Sequence, residues 1–314
     1  MTLLVAVNGW TPELWFGYFR SVAGDLDIVD ARDVYDPAMI RYAAVWKPQP
    51  GLLASLPNLQ VIFNLGAGVD AIMADPTRPA LPIVRVVDPD MTGRMTEYVV
   101  WQVLHHLRHG FHFAAAQARR QWRVVPNQPS ASELRVGIMG LGVLGRDAAE
   151  VLARMRFQVA GWSRRGESIA NVEGFAGEAQ LDAFLARTDI LVVLLPLTDA
   201  TRGILNRALF AKLAQGGRLG GPVVINAGRG GLQVEADIVA ALSDGTLKGA
   251  SLDVFEPEPL SPDSPLWNQP GVAITPHVAA DSDPRHIARY VVNQVRRHMA
   301  GEPLENVVDP GRGY

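Results

Sequence analysis

The sequence predicts an α/β protein with two doubly wound parallel β-sheets, each in its own domain. The chain has 314 residues, which is more than one typical domain contains. Short apolar runs rich in β-branched residues recur in two separate series, with helical or turn-like stretches between the runs. Strands that alternate with helices form right-handed crossovers, and thus parallel sheets with helices on both faces. Two such series therefore predict two domains.

The apolar runs give the positions of the predicted strands. The first series lies at residues 3–7, 28–29, 43–46, 61–65 and 83–87. The second series lies at residues 136–140, 157–162, 190–195, 223–226, 250–254 and 272–275.

Two helical patterns set the expected domain boundaries. One covers residues 92–122 between the two strand series, and the other covers residues 284–299 after the second series. We expect a first domain at residues 1–96 and a second domain at 97–284. Residues 285–314 are expected to return to the first domain, which is then built from both parts of the chain.

Composition excludes several classes of function. The formal net charge is −3, which gives no reason to expect nucleic acid or an anionic membrane as a partner. The absence of cysteine removes disulfides, thiolate nucleophiles and cysteine metal sites. The most apolar run, residues 190–196, is too short to span a bilayer, and the first residues do not resemble a signal peptide. We therefore expect a cytoplasmic protein.

A glycine-rich turn is the strongest local motif. Gly140, Gly142 and Gly145 form a Gly-x-Gly-x-x-Gly pattern with Val143 and Leu144, directly after a predicted strand and at the start of a predicted helix. The first glycine allows a tight turn, the second lets a pyrophosphate approach the backbone, and the third lets helix and strand pack closely. The free N–H groups and the dipole of the helix N-terminus favour an anion. The motif predicts a dinucleotide cofactor, although a turn without a ligand is the alternative.

The end of the next predicted strand indicates which dinucleotide binds. NAD-dependent enzymes carry an acidic residue there to hold the ribose hydroxyls. This chain has Ser163, Arg164 and Arg165 instead, and the first carboxylate after them is Glu167. Two guanidinium groups can hold a 2′-phosphate that an acid would repel. The sequence therefore favours NADPH (NADP+) over NADH, unless the arginines are only solvated surface residues.

Several further motifs resemble one known family. They are Asn-Leu-Gly-Ala-Gly-Val-Asp at 64–70, Asn-Ala-Gly-Arg-Gly at 226–230, Leu-Asp-Val-Phe at 252–255 with Glu-Pro-Leu at 258–260, and Thr-Pro-His at 275–277. Together with the glycine turn, their order and spacing resemble the D-isomer-specific 2-hydroxyacid dehydrogenases over essentially the whole chain. Segments 45–48, 87–91 and 312–314 are similar to the glyoxylate/hydroxypyruvate reductase A branch.

The resemblance carries expectations about fold and reaction. It implies a flavodoxin-like substrate domain and a Rossmann cofactor domain with the active site between them. It also implies reduction of glyoxylate and hydroxypyruvate, which are small 2-oxo acids, with NADPH. We further expect a homodimer.

The chemistry of such a reduction points to three side chains. A 2-oxo acid needs a group that holds its carboxylate, a proton donor near its carbonyl oxygen, and positive potential where negative charge develops. Arg229 can orient and polarise the substrate, and His277 can act as general acid/base. Glu258 would favour the charged form of the His277 imidazole. Taken singly, each has a structural alternative, because all three can be surface or loop residues.

The remaining predicted site residues surround these three. Backbone N–H groups of Gly66, Ala67 and Gly68 are expected to bind the substrate carboxylate, and Trp46 is expected to line a small substrate pocket or to be a core residue. Asp253 is expected to bind the nicotinamide amide, with a structural hydrogen bond as its alternative. The other predicted cofactor contacts are Leu195, Pro196, Ala227 and Gly228.

Two features have no predicted role in catalysis. His105, His109 and His112 fall on one face of the predicted 92–122 helix beside His106, but no carboxylate accompanies them, so we do not predict a metal site. The glycine-rich stretch 215–221 is longer than the turn usual in the family and predicts a surface loop.

Two other functions stay open at this point. Another D-2-hydroxyacid dehydrogenase, acting on a larger 2-oxo acid, would carry the same motifs. A non-catalytic nucleotide-binding protein can share the fold, but it has no need of Arg229, Glu258 and His277 together.

Overall fold

The computed structural model describes residues 1–281, 283–309 and 311. Segment 312–314, which contributed to the resemblance, lies outside the described residues. The chain divides into two compact units, one formed by Met1–Met91 with Ser282–Tyr314 and the other by Thr92–Asp281. The boundaries expected from the sequence lie a few residues further along the chain. In the described part of the chain, no helix combines the length and apolar character that crossing a membrane requires.

The first unit contains a parallel sheet. Its described strands lie in the order β2-β1-β3-β4-β5, and every pair is parallel. The strands are β1 (Thr2–Val7), β2 (Asp27–Asp30), β3 (Ile40–Trp46), β4 (Val61–Asn64) and β5 (Ile83–Arg85). The inner strand β1 is buried along its whole length, as its uninterrupted apolar sequence predicts for a strand covered on both faces.

The first part of the chain contributes two helices to this unit. They are α1 (Pro12–Val22) and the short α2 (Asp70–Met73). The helix α3 (Pro89–Leu107) then carries the chain into the second unit.

The second unit contains a larger parallel sheet. Its described strands lie in the order β12-β11-β10-β9-β6-β7-β8, and every pair is parallel. The strands are β6 (Arg135–Met139), β7 (Gln158–Ser163), β8 (Glu173–Ala176), β9 (Ile190–Val193), β10 (Val223–Asn226), β11 (Gly249–Leu252) and β12 (Val272–Ile274). The helices are α3 with α4 (Gly110–Ala118), α5 (Val143–Arg154), α6 (Leu181–Ala186), α7 (Arg207–Phe210) and α8 (Glu235–Asp244).

The predicted α/β fold with two parallel sheets is confirmed, but two elements differ from the sequence prediction. Strand β8 was not predicted, because its sequence Glu-Gly-Phe-Ala has no apolar run and it lies half-exposed at the sheet edge. The single helix predicted over residues 92–122 is wrong. The backbone turns at His109, which has a left-handed φ of 54°, so α3 and α4 are separate helices. His105, His109 and His112 therefore do not share one face of a continuous helix.

The last described helix, α9 (Pro284–Met299), belongs to the first unit and has the bounds that its sequence pattern predicts. It packs against α1. Arg296 donates a hydrogen bond to the carbonyl oxygen of Ala23 (3.0 Å), and the hydroxyl of Tyr42 lies 3.0 Å from Nδ1 of His298. These contacts join the two chain segments that form this unit.

The topology of the second sheet brings its loops to one edge. After β6 the chain continues to β7 on one side, and it later returns to the other side of β6 at β9. Because all strands are parallel, their carboxyl ends lie at the same edge, and ligands of open α/β sheets bind there where the strand order reverses. Every predicted cofactor or catalytic residue of this unit ends a strand or follows one at that edge.

Candidate active site

The glycine turn between β6 and α5 has the geometry that its sequence predicts. Gly140 has a φ of 101°, which favours glycine. A Cβ atom on Gly145 would collide with the carbonyl oxygen of Gly140, so the third glycine permits close packing of helix and strand. A Cβ atom on Gly142 would meet no atom within 4 Å. The turn therefore leaves open space beside the N-terminus of α5, where Val143 and Leu144 form the first turn without a side-chain cap.

These features fit a dinucleotide. A pyrophosphate needs close access to backbone N–H groups at a helix N-terminus, and the open space at Gly142 provides it. Two neighbouring loops pack at the same edge. A Cβ atom on Gly140 would lie 2.7 Å from the carbonyl oxygen of Leu194, and one on Gly228 would lie 2.9 Å from that of Leu195. The stretches with Leu195–Pro196 and Ala227–Gly228 thus adjoin the glycine turn.

The end of β7 carries exposed positive charge. Arg164 and Arg165 directly follow Ser163, and both are exposed. The hydroxyl of Ser163 accepts a hydrogen bond from the backbone N–H of Gly166 (3.1 Å), which shapes the turn. The nearby Glu167 forms an ion pair with Arg146 from the first turns of α5 (2.9 Å). The one carboxylate that follows the arginines closely is therefore neutralised, which favours an anionic ligand at this position.

A buried asparagine holds the loop that carries Arg229. Asn226 is fully buried at the end of β10. Its side-chain oxygen accepts a hydrogen bond from the backbone N–H of Gly228 (3.1 Å). Its side-chain nitrogen donates to the carbonyl oxygen of Arg229 (3.0 Å) and to Gln233 (2.9 Å). Arg229 itself is half-buried, and its guanidinium donates to the carbonyl oxygen of Gly228 (2.8 Å).

A buried carboxylate organises the loop that carries His277. Asp253 is 1% exposed just after β11. It accepts hydrogen bonds from the hydroxyl of Thr275 (2.6 Å) and from the backbone N–H groups of Val278 (3.0 Å) and Ala279 (3.0 Å). The backbone N–H of His277 donates to the carbonyl oxygen of Asp253 (2.8 Å). These are structural hydrogen bonds of the kind considered as the alternative role of Asp253.

A tyrosine extends this network. The hydroxyl of Tyr98, on α3, lies 2.8 Å from Oγ1 of Thr275. Burial raises the pKa of the Tyr98 phenol, so this group keeps its proton at neutral pH. Because Thr275 uses its own proton toward Asp253, Tyr98 is the donor to Thr275. The loop before His277 is therefore held from α3 as well as from β11.

The side chains of His277 and Glu258 contact each other directly. Nδ1 of His277 lies 3.0 Å from both Oε1 and Oε2 of Glu258. Oε1 of Glu258 also accepts a hydrogen bond from the backbone N–H of Phe255 (3.2 Å), which fixes the carboxylate. Because Nδ1 faces Glu258, Nε2 is the nitrogen that can exchange a proton with a substrate.

An asparagine also holds the predicted substrate loop of the first unit, as Asn226 holds the Arg229 loop. The side-chain nitrogen of Asn64, at the end of β4, donates to the carbonyl oxygens of Gly66 (2.7 Å) and Gly68 (2.9 Å). The benzene part of the Trp46 indole lies directly against Gly66, where a Cβ atom would collide with it. Trp46 and the Gly66–Gly68 loop therefore lie together at the carboxyl edge of this sheet.

Sequence reasoning missed the residues that hold these loops. Asn64, Asn226 and Thr275 lie inside the quoted motifs, but no positioning role was assigned to them. The signal was available, because an asparagine that directly ends a run of buried apolar residues must find hydrogen-bond partners in the next loop. The partner of Thr275 on α3, Tyr98, carried no such signal.

The histidines of α3 and α4 have structural contacts. Nε2 of His106 lies 2.9 Å from Oγ of Ser251, on β11. Burial and the neighbouring His105 lower the pKa of His106 to about 3, so this side chain is neutral. The ring of His105 packs edge-on against Phe111.

Comparison with known proteins identifies the family. Residues 100–279 match the D-isomer specific 2-hydroxyacid dehydrogenase family, NAD binding domain. Glyoxylate/hydroxypyruvate reductase A of Klebsiella pneumoniae is 42% identical over 279 residues, which are 87% of this chain and 87% of that protein. The chain therefore belongs to the D-isomer specific 2-hydroxyacid dehydrogenase family, which confirms the resemblance carried by the motifs.

Solved structures agree over the whole length. An NADPH-dependent glyoxylate/hydroxypyruvate reductase from Sinorhizobium meliloti, in complex with NADP and sulfate, is 49% identical with a TM-score of 0.95; the match covers 100% of this chain and 99% of that chain. A probable 2-hydroxyacid dehydrogenase from Rhizobium etli, in complex with NADP, HEPES and tartaric acid, is 46% identical with a TM-score of 0.94 and the same coverage.

The glycine turn gives a prediction that separates binding from folding. Gly142→Ala is expected to weaken NADPH binding at least about tenfold, because the new methyl group enters the space that a pyrophosphate needs. Its thermal stability should match that of the parent, since the methyl group meets no protein atom. Gly145→Ala is expected to lower stability by about 1–3 kcal/mol, because the backbone of Gly140 must move.

Fluorescence titration with NADPH and thermal unfolding of both variants measure the two effects. Equal NADPH affinity of Gly142→Ala and the parent would contradict the assignment of this space to the cofactor.

Proposed function

We propose that this protein reduces glyoxylate to glycolate and hydroxypyruvate to D-glycerate with NADPH. The observation that carries the proposal is the His277–Glu258 pair, in which Nδ1 of the imidazole contacts both carboxylate oxygens (3.0 Å) at the carboxyl edge of a dinucleotide-binding sheet. Family membership and the reductase names and NADP complexes of similar proteins support the same reaction.

Arg229 is proposed to orient and polarise the substrate. Its guanidinium can form two parallel hydrogen bonds with a carboxylate, or bind a carboxylate oxygen and the carbonyl oxygen together. Its backbone is fixed by Asn226, and its side chain is half-buried, so its charge is less screened than that of a fully exposed arginine. Negative charge grows on the carbonyl oxygen during reduction, and a fixed cation stabilises it.

His277 is proposed to supply the proton. Nε2 donates to the carbonyl oxygen as this oxygen becomes a hydroxyl, and Nδ1 keeps its hydrogen bond to Glu258 throughout. The carboxylate of Glu258 stabilises the imidazolium before transfer and fixes the plane of the ring. When bound, NADPH supplies the hydride that the substrate carbon receives.

The Gly66–Gly68 loop is proposed to bind the substrate carboxylate through its backbone N–H groups. Asn64 holds the carbonyl oxygens of this loop, which fixes the direction of its N–H groups. Trp46 is proposed to line the same subsite. The homodimer and the cytoplasmic location expected from the sequence stay predictions.

A spectrophotometric screen of 2-oxo acids with NADPH and with NADH tests this function. We expect glyoxylate and hydroxypyruvate to be reduced, with a much lower KM for NADPH than for NADH. Efficient reduction of larger 2-oxo acids alone would favour another D-2-hydroxyacid dehydrogenase, and NADPH binding without any turnover would favour a non-catalytic nucleotide-binding protein.

The same assay tests the cofactor site when Arg164 and Arg165 are both changed to alanine. The KM for NADPH should rise about 10- to 100-fold, because two charge-assisted hydrogen bonds to the 2′-phosphate are lost. The KM for NADH should stay nearly unchanged. Arg154→Ala, an exposed arginine in the last turn of α5, is the control and should behave as the parent. A parent that uses both cofactors equally well would overturn this assignment.

Substitution of His277 and Glu258 tests the proton transfer. His277→Ala should lower kcat about 10²- to 10⁴-fold, the usual contribution of a general acid. Glu258→Gln keeps a hydrogen-bond acceptor but removes the charge, so its kcat should lie between those of the parent and of His277→Ala. NADPH affinity, measured by fluorescence titration, should change little in both variants. A kcat of His277→Ala within threefold of the parent would remove His277 from the mechanism.

A further inference from the structure

Three tryptophans of the first unit form a continuous stack. The ring centroids of Trp10 and Trp46 are 4.3 Å apart with an interplanar angle of 5°. The centroids of Trp10 and Trp15 are 4.9 Å apart with an angle of 10°. One face of an indole has no room for two parallel rings at these distances, so Trp10 lies between the other two.

The stack stands at the carboxyl edge of the five described strands. Trp46 is the last residue of β3, and Trp10 lies in the loop that follows β1. Asn8 joins the two loops, because its backbone N–H donates to the carbonyl oxygen of Trp46 (3.1 Å) and its side chain donates to that of Lys47 (2.7 Å). The third member, Trp15, is buried on α1 and gives the stack a fixed base.

The free end of the stack meets the proposed carboxylate loop. The benzene part of Trp46 lies so close to Gly66 that even a methyl group there would collide with it. Asn64 holds the carbonyl oxygen of Gly66, and Trp10 covers a face of Trp46. Trp10 therefore opposes movement of Trp46 on the ring face that it covers.

The stack is buried at one end only. Trp15 is 5% exposed, but Trp10 is 37% exposed and Trp46 is half-buried. Two large indoles thus keep accessible surface at the sheet edge where ligands of parallel sheets bind. Lys47 adds a positive charge there, with Nζ 5.9 Å from the centroid of the Trp46 ring.

We propose that Trp10 is a positioning residue that holds Trp46 against Gly66, and that the stacked rings limit the substrate to 2-oxo acids of two or three carbons. This inference rests on the proposed function, since it takes Gly66–Gly68 as the carboxylate loop. A carbon chain that extends further from the carboxylate meets the face or edge of Trp46. Because the stack ends on the buried Trp15, Trp46 can yield only by losing its contact with Trp10 or by displacing Trp10 from Trp15.

The test compares substrates of increasing length in Trp10 variants. The measured quantity is kcat/KM for 2-oxopentanoate divided by kcat/KM for glyoxylate, with saturating NADPH. In Trp10→Leu and in Trp10→Met this ratio should rise at least about tenfold, since a single methylene in a pocket already discriminates by that amount. Most of the change should come from a higher KM for glyoxylate and a lower KM for 2-oxopentanoate. Trp10→Phe retains a flat aromatic ring and should keep the ratio of the parent.

Trp122→Leu is the matched control, because Trp122 is 99% exposed and belongs to the second unit. Its ratio should equal that of the parent. Thermal unfolding of every variant shows whether the fold is retained, and two different replacements of Trp10 keep the test decisive if one of them fails to fold.

The outcomes separate the inference from the proposed function. A parent that reduces no 2-oxo acid overturns the proposed function and the inference together. A parent that reduces glyoxylate, with the same ratio in Trp10→Leu and Trp10→Met, overturns the inference alone. A parent that reduces 2-oxopentanoate as efficiently as glyoxylate also overturns the inference, while the reaction class stands.

Discussion

The carboxylate of Asp253 sets the geometry on which the candidate site depends. It accepts hydrogen bonds from Thr275, Val278 and Ala279, so it closes the loop around His277 from both sides. His277 has a φ of 56°, a left-handed conformation that costs energy for a residue with a side chain. A buried carboxylate with three donors compensates for that strain. The position of the imidazole is therefore fixed by β11, one strand away from its own.

A buried polar side chain holds the following loop at two other strand ends as well. Asn64 closes the Gly66–Gly68 loop after β4, and Asn226 closes the Gly228–Arg229 loop after β10. In a parallel sheet the carboxyl ends of inner strands are buried, and the backbone must turn there without the ladder of hydrogen bonds. A short polar side chain at the end of the strand supplies the missing partners. The loops that are proposed to contact the substrate are thus held by buried side chains that do not contact it.

Much of this was predictable from sequence. Continuous apolar runs give the inner strands, because those strands are buried on both faces, and the glycine spacing gives the turn after β6. Strand β8 escaped prediction because an exposed edge strand needs no apolar pattern. The break at His109 escaped it because a left-handed residue within a helical pattern leaves no trace in hydrophobic spacing. The stack of Trp10, Trp15 and Trp46 was not predicted because Trp46 is distant in sequence from the other two and meets them only when β1 and β3 pair.

The most direct test of this account is the kinetic and binding analysis of Asp253→Asn. The amide keeps the shape of the carboxylate but places an N–H group where only acceptors fit, so the His277 loop should shift. We predict that kcat falls about 10- to 100-fold, as small misplacements of a catalytic group do, while the Kd of NADPH stays that of the parent. Asp263→Asn, an exposed residue after β11, is the control. An unchanged kcat with weakened NADPH binding would contradict the account, since Asp253 would then hold the cofactor rather than the loop.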